Sequence, residues 1–162
     1  MNTGTPDHAR ESVWDYPRPP RVEPEARSVR IVLGGETIAA TDRALRVLET
    51  SHPPGIYLPP DAFVPGSLTA NPRQTVCEWK GSAAYWDLSG GEATRTAAAW
   101  SYPEPIARYG AIAGFISVYP GRVDACYLGD ERVRAQEGGF YGGWITDEIV
   151  GPFKGGPGTV GW

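Results

Sequence analysis

Glycine and proline limit the length of regular structure that this chain can form. Its 162 residues include 21 glycines and 16 prolines, and both counts are well above ordinary usage. Proline interrupts a helix because it lacks an N–H group, whereas both residues are common in tight turns. This combination is typical of many short strands joined by turns. We therefore predict an all-β fold.

The clearest local pattern lies between residues 29 and 40. Apolar side chains alternate along VRIVL (29–33), as expected of a half-buried strand. Gly34 and Gly35 can supply the positive φ values of a two-residue hairpin turn. The pattern predicts a strand over 29–33 that is paired with a second strand over 36–40.

The remaining elements follow from alternation and from turn residues. Residues 41–49 fit either a helix capped by Thr41 or a strand, and their short length favours a strand. The other predicted elements are strands at 56–58, 75–80, 83–88 and 94–100, a turn at Asn71-Pro72, a helical segment at 105–112, a second hairpin over 115–128 around Pro120-Gly121, and a turn at 129–130 leading into 131–134.

Composition divides the chain into three parts. Residues 1–26 are polar and proline-rich, so we expect an extended arm of which part docks through Trp14 and Tyr16. Residues 27–135 carry the strand patterns and form the predicted domain. Residues 136–162 are rich in glycine and aromatic residues, which suggests a C-terminal extension that wraps onto the domain.

Charge and cysteine content exclude several classes of protein. The net charge is −4 and the isoelectric point is about 5.2, so a phosphate backbone would be repelled and we expect no nucleic-acid partner. Two cysteines, Cys77 and Cys126, cannot build a disulfide framework. No apolar run approaches the length of a membrane span. We expect a cytoplasmic protein with no membrane partner.

Four segments of the chain carry distinctive motifs: RALRVLETSHPP (43–54), CEWKG (77–81), AAWSYPEP (98–105) and YPGRVDA (119–125). In this order they resemble the motifs of a bacterial family catalogued as domain of unknown function 427. The likeness covers roughly residues 21–134.

This resemblance implies a β-tent-like fold made of two small antiparallel sheets. The same fold is found in zinc-knuckle proteins, in selenoprotein-class methionine-sulfoxide reductases and in the thalidomide-binding domain of cereblon. Many β-tents hold zinc with paired cysteines, but this sequence has no C-x-x-C motif, and a structural zinc site needs four ligands. We predict a metal-free domain with no cofactor.

Lys80 and Glu49 are the candidate catalytic residues. Both belong to the quoted motifs, and both have apolar and aromatic neighbours in the sequence, where a charge is costly unless it is paired or used. One interpretation is a buried ion pair of Lys80 with Glu49 or Glu78. The other is a site in which the lysine or a carboxylate acts as a base. The sequence leaves open whether the protein is an enzyme.

Aromatic residues could form the wall of a ligand site. An aromatic cage of the kind known in cereblon suggests stacking of a planar or cyclic small molecule, although the same residues also suit a solid core. The candidate ligand-binding residues are Tyr57, Trp86, Trp100, Tyr102, His52 and Arg122.

Three functions are compatible with these features. The first is binding of an unknown small molecule in an aromatic-lined pocket, with Lys80 and Glu49 as catalytic groups if the protein turns its ligand over. The second is a protein-interaction or structural domain that forms a homodimer through the C-terminal extension. The third is a nucleotidyltransferase, a label sometimes attached to the family, which would need clustered carboxylates for Mg²⁺.

Overall fold

The protein is built from short strands, and the all-β prediction is confirmed. The computed structural model describes residues 10–17, 19–77, 80–136 and 142–151. The strands in these ranges are β1 (Glu11–Ser12), β2 (Arg21–Pro24), β3 (Val29–Leu33), β4 (Glu36–Thr41), β5 (Leu45–Leu48), β6 (Gly55–Tyr57), β7 (Leu68–Cys77), β8 (Gly81–Gly90), β9 (Ala93–Ser101), β10 (Ile116–Val118), β11 (Ala125–Leu128), β12 (Glu131–Arg132), β13 (Arg134–Ala135), β14 (Trp144–Ile145) and β15 (Ile149–Val150). Short 3₁₀ turns cover Val13–Asp15, Pro60–Ala62, Ala107–Ile112 and Pro120–Arg122.

Two antiparallel sheets of four strands dominate the architecture. The long sheet has the order β10-β9-β8-β7, and the second sheet has the order β12-β11-β3-β4. A three-stranded sheet, β2-β5-β6, lies next to the long sheet, since Leu58 just after β6 forms a bridge with Ile116. Two small pairs, β1 with β15 and β13 with β14, complete the strand pairing of the described ranges.

The predicted hairpin over residues 29–40 is confirmed, with its second strand extended to Thr41, and its glycine turn has a second role. Gly34 and Gly35 have φ values of 64° and 78°, so they supply the left-handed conformation that the turn requires. Gly34 also lies against the β8–β9 turn, where a Cβ atom at position 34 would stand 1.9 Å from the carbonyl oxygen of Gly90. Glycine therefore allows the two hairpin turns to meet backbone to backbone.

The main core lies between the two four-stranded sheets. Its buried members include Ile31, Leu33, Ile38, Leu88, Ala99, Ile116, Val118, Cys126, Leu128 and Trp144. Trp144 is fully buried, and its indole N–H donates to the Val118 carbonyl at 3.0 Å. Cys126 is a free thiol whose pKa burial raises above its usual range, so it is held in the unreactive protonated form.

The predicted turn at Asn71-Pro72 is wrong. Both residues lie inside β7, and the register with β8 shifts between Asn71 and Gln74, which is the mark of a β-bulge. Because β7 is an edge strand, proline can be accommodated there without removing a hydrogen bond from the middle of a sheet.

The predicted hairpin over residues 115–128 is also wrong. β10 pairs with β9 in the long sheet, whereas β11 pairs with β3 in the second sheet. The Pro120–Arg122 turn therefore carries the chain from one sheet to the other. The turn residues suited both arrangements, and the choice depends on which partner strand buries more apolar surface.

Several shorter predictions are close to the structure. Residues 45–48 form a strand, as expected, and the helical segment predicted from 105 is the 3₁₀ turn Ala107–Ile112. Strands β7, β8 and β9 are the three consecutive strands predicted around Gly81 and Gly90, although β7 begins earlier, at Leu68. No helix in the described parts of the chain is long and apolar enough to cross a membrane.

Candidate functional site

A cluster of aromatic side chains lies on the face of the long sheet opposite the main core. Pairing of β8 with β9 and of β9 with β10 places Tyr85, Trp100 and Ser117 side by side across three strands. Since residues that are directly opposite in a sheet point to the same face, these three share one surface. We call the following residues the aromatic cluster: Tyr57, Tyr85, Trp100, Tyr102, Tyr109 and Tyr119.

Four rings of this cluster form a continuous row of contacts in the order Tyr119, Trp100, Tyr57 and Tyr102. Trp100 packs against Tyr119 with ring centroids 4.6 Å apart and meets Tyr57 edge to face at 6.2 Å. Its indole N–H donates to the Tyr57 hydroxyl at 3.2 Å. Tyr57 in turn lies 6.4 Å from Tyr102. Trp100 is half-buried, whereas its tyrosine neighbours are buried.

Three of the predicted ligand-binding residues, Tyr57, Trp100 and Tyr102, are therefore brought together, but Trp86 is not. Trp86 pairs with Ala99, one residue away from Trp100, so it lies on the opposite face of the sheet. Its indole N–H donates to the Ser101 hydroxyl at 3.0 Å, and its ring packs against the main core.

Lys80 lies at one end of the aromatic cluster, between β7 and β8. Only 7% of the residue is exposed. Its ammonium is 3.8 Å from the Glu49 carboxylate and 5.9 Å from the centre of the Tyr102 ring. The Glu49–Lys80 ion pair considered from the sequence is therefore present. The ammonium makes no hydrogen bond to another residue that the structure describes.

Glu49 reaches Lys80 because it directly follows β5. It begins a loop in which the Glu49 carbonyl accepts a hydrogen bond from the His52 N–H at 3.0 Å. The Glu49 side chain is 22% exposed, so solvent reaches the carboxylate side of the ion pair. The pair therefore has one buried partner and one partly hydrated partner.

His52 lies in the same loop and is half-buried. Its Nδ1 is 2.9 Å from the Thr50 carbonyl, which can only accept, so Nδ1 carries the proton in the neutral ring. Ser51, which lies between Thr50 and His52, has a φ of 70°, which is uncommon for a residue other than glycine. Its buried hydroxyl has no hydrogen-bond partner within the described ranges. The loop that carries Glu49 is thus held in a strained conformation.

Arg122 lies at the other end of the aromatic cluster. Its guanidinium carbon is 4.1 Å from the centre of the Tyr119 ring, and Nη1 donates to the Ala97 carbonyl at 2.7 Å. Arg122 therefore contacts the wall of the cluster. Asp124, which the sequence places near it, accepts a hydrogen bond from the Gly35 N–H in the second sheet.

Tyr85 and Tyr119 are cluster residues that the sequence analysis did not select. Burial raises the pKa of Tyr119 to about 12, and interaction with Tyr85, including a hydrogen bond, adds to this effect. Tyr119 belongs to one of the quoted motifs, so the sequence contained a signal for it. Tyr85 could have been found only from the pairing of β8 with β9.

The polar groups of this region do not gather into a metal site. No group of three or more His, Cys, Asp or Glu side chains that could hold a metal occurs within the ranges given above. Asp87, a residue that a nucleotidyltransferase interpretation would use, accepts hydrogen bonds from Asn71 and from the Ala97 N–H, both at 2.8 Å. Glu78 and Trp79, which directly precede Lys80 in the sequence, lie outside the described residues. The glycine-rich segment after residue 151 lies outside them as well.

Comparison with known proteins shows the family to which the chain is related. The model of a family described as a domain of unknown function (DUF427) matches residues 21–129. That range contains Lys80, Glu49 and the whole aromatic cluster. No curated protein matches the chain.

Proposed function

The chain belongs to the DUF427 family, and we propose that this protein binds a small molecule at the Lys80 end of the aromatic cluster. The ligand would carry a negatively charged or carbonyl oxygen for Lys80 and a flat ring for the aromatic side chains. The observation that carries the proposal is the buried Lys80 side chain, whose ammonium lies beside Glu49 and Tyr102 without a hydrogen bond to another described residue.

Burial of Lys80 is difficult to explain by stability alone. An ammonium group loses hydration when it is buried, and a protein recovers that cost only with close pairing and full hydrogen bonding. The 3.8 Å distance to Glu49 is longer than a hydrogen bond. Since no described residue accepts a hydrogen bond from the ammonium, its N–H donors can be offered to an anionic group of a ligand. An oxygen of a ligand would supply the contact that the described residues do not.

The aromatic cluster supports a flat ligand. Trp100 is its half-buried member, so part of the indole surface remains accessible beside buried tyrosines. Aromatic faces attract planar rings and give large apolar contact at small entropic cost. On the same sheet face, the buried Ser117 hydroxyl has no hydrogen-bond partner within the described ranges. The cluster thus combines apolar surface with a polar group that has no described partner, a combination that suits a ligand site.

Catalysis on a bound ligand would fall to Lys80 and Glu49. They form an ion pair at the proposed site, where the Glu49 carboxylate can take a proton from the ligand while the Lys80 ammonium stabilises the negative charge that develops on the ligand. His52 lies in the loop of Glu49 and would contact the ligand from that side, while Tyr57 and Tyr102 form the wall between Lys80 and Trp100.

Thermal denaturation with a panel of planar carboxylates tests the proposal. Benzoate and larger fused-ring carboxylates are compared with uncharged analogues, of which benzyl alcohol is the simplest. At ten times its dissociation constant, a ligand should raise the melting temperature by about 3 to 6 °C. Lys80→Met should abolish the effect of the carboxylates, because it removes the charge but keeps the side-chain volume.

Arg95→Met is the matched control, since it removes one positive charge from an exposed position of β9. The control should respond to carboxylates as the wild type does. Stabilisation that persists unchanged in Lys80→Met, or a panel in which no carboxylate stabilises the wild type more than its uncharged analogue does, would contradict the proposal.

A further inference from the structure

A β-bulge in β9 separates Trp100 from the regular part of the strand. Trp86 of β8 pairs with Ala99, and Leu88 pairs with Arg95. Residues 96–98 therefore stand opposite the single residue Asp87. Bulges of this type turn the side chains beyond them and are common near functional sites. The side chain that this bulge turns toward the aromatic cluster is that of Trp100, three residues beyond its centre.

Ala97, at the centre of the bulge, has a backbone conformation that alanine seldom adopts. Its φ is 50°, in the left-handed region where the Cβ atom is crowded. Such a conformation persists only where neighbouring groups hold it in place. In this protein, both polar atoms of the Ala97 backbone are bound by charged side chains.

Asp87 and Arg122 hold the two peptide groups on either side of the Ala97 Cα atom. The Ala97 N–H donates to Oδ1 of Asp87 at 2.8 Å, and the Ala97 carbonyl accepts from Nη1 of Arg122 at 2.7 Å. Hydrogen bonds to charged groups are about twice as strong as those between neutral groups. The two contacts together can offset the strain at Ala97.

The same arginine connects the bulge to the aromatic cluster. Its guanidinium lies over the Tyr119 ring at 4.1 Å, and Tyr119 packs against Trp100 at 4.6 Å. The Tyr119 N–H donates to the carbonyl of Ala98, the residue next to Ala97, at 2.9 Å. Displacement of the bulge would therefore move both rings.

We propose that Asp87 and Arg122 are positioning residues, which fix the orientation of Trp100 by holding the strained bulge at Ala97. The functional meaning of this role rests on the ligand site proposed above, but the positioning itself does not. Arg122, expected from the sequence to bind the ligand, would act instead through Tyr119 and the bulge. Asp87 would act through the Ala97 N–H.

Indole N–H signals in a ¹H–¹⁵N spectrum test this role directly. The chain has six tryptophans, and Trp100→Phe identifies the Trp100 signal. Asp87→Ala should shift that signal because the bulge loses its acceptor. Asp87→Asn keeps an acceptor oxygen and should leave the signal near its wild-type position. The Trp144 signal, from the main core, should stay unchanged and shows that the variant is folded.

Ala97→Gly provides a rescue that a general loss of stability would not show. Glycine adopts a positive φ without strain, so the bulge should persist without Asp87. The double variant Asp87→Ala with Ala97→Gly should therefore return the Trp100 signal toward its wild-type position. Asp61→Ala, which removes an exposed carboxylate elsewhere, is the control and should leave Trp100 unchanged.

Two results would overturn the positioning role: a Trp100 signal that stays in place in both Asp87→Ala and Arg122→Met, or a shift that Ala97→Gly fails to reverse. Benzoate titration then separates this inference from the proposed function. If both hold, Asp87→Ala weakens benzoate binding about tenfold. If Trp100 moves and the wild type itself shows no binding of benzoate, the positioning role stands and the ligand site is refuted. If Trp100 moves while Asp87→Ala binds benzoate as tightly as the wild type does, the positioning role stands and the ligand does not contact Trp100.

Discussion

Two buried cations of this protein differ in how their charges are satisfied. Arg46 donates to Glu11 at 2.6 Å, and its Nε lies 3.1 Å from Glu23 as an ion pair without a hydrogen bond, so two carboxylates lie close to its guanidinium. Lys80 is buried to a similar degree, yet the nearest carboxylate among the described residues, that of Glu49, is 3.8 Å away. A buried cation with a structural role is expected to have carboxylates close to it, as Arg46 does. A cation kept for function can be poorly satisfied in the absence of its ligand.

Substitution of each cation by methionine should separate the two roles. We expect Lys80→Met to leave the free energy of unfolding within about 1 kcal/mol of the wild type, because the change removes an incompletely paired buried charge. Arg46→Met should cost about 3 kcal/mol, since it leaves two carboxylates without their partner. Urea denaturation measures both values. A loss of several kcal/mol in Lys80→Met would show that the Glu49–Lys80 pair is a structural contact.

At the scale of elements, the packing of hairpin turns links the two large sheets. The β3–β4 turn and the β8–β9 turn touch through Gly34 and Gly90, with no room for a side chain between them. Gly35 occupies the same turn and has a similar φ, but nothing lies within 4 Å of the place where its Cβ atom would stand. Gly35 is therefore required only for the backbone conformation of the turn, whereas Gly34 is required both for that conformation and for the close contact between the turns.

Alanine substitution at the two positions should give different losses of stability. Gly35→Ala should cost about 1 to 2 kcal/mol, from the left-handed backbone alone. Gly34→Ala should cost about 2 kcal/mol more, because the new methyl group forces the turns apart. Thermal or urea denaturation of both variants checks the difference. Equal losses would mean that the contact between the turns contributes little.

The limits of sequence prediction in this protein also appear at the scale of elements. The hairpin over 29–41 was predictable because its alternation and its glycine turn are local signals. The hairpin over 115–128 was not, since β10 and β11 choose partners that are distant in sequence. The site shows the same division. Lys80 and Glu49 could be selected as costly charges, whereas the separation of Trp86 from Trp100 depends on strand register.

At the scale of the molecule, residues outside the matched range of 21–129 complete the packing. Val13 and Tyr16 lie in a small cluster with Leu48 and Ile149, and Trp144 fills the main core. A buried ion pair adds to these contacts. Arg27 donates to both carboxylate oxygens of Glu25 at 2.9 and 3.0 Å and to Glu148 at 2.9 Å. Arg27 thereby connects the turn between β14 and β15 to the segment between β2 and β3.

This ion-pair network predicts a loss of stability in acid. Burial opposes the charged form of Glu25, but the hydrogen bonds and the charge of Arg27 outweigh it and lower the pKa of Glu25 below its usual value. Burial also opposes the charged form of Glu148, but interactions with Thr146, with its own backbone and with Arg27 lower its pKa. A carboxyl whose pKa is lower in the folded state stabilises the fold above its unfolded pKa of about 4.3. That stabilisation should disappear as the pH falls below about 4.3 and through the folded pKa.

Glu25→Gln should remove part of this dependence. At neutral pH the variant should lose about 3 kcal/mol of stability, because a buried guanidinium loses one of its two carboxylates. Its stability should also fall less steeply than that of the wild type below about pH 4.3. Asp61→Asn, in an exposed pair with Arg43, should change stability by no more than about 0.5 kcal/mol. Parallel acid profiles of the wild type and Glu25→Gln would refute the assignment.

The most direct test of the account observes the Lys80 side chain itself. The chain contains two lysines, Lys80 and Lys154, so protein labelled with ¹³C at the lysine ε position gives two signals, which Lys154→Arg assigns. During titration with planar carboxylates such as benzoate, the account predicts a saturable shift of the Lys80 signal and no comparable shift of the Lys154 signal. A Lys80 signal that stays in place with every carboxylate, or that moves only in parallel with Lys154, would contradict a ligand site at Lys80.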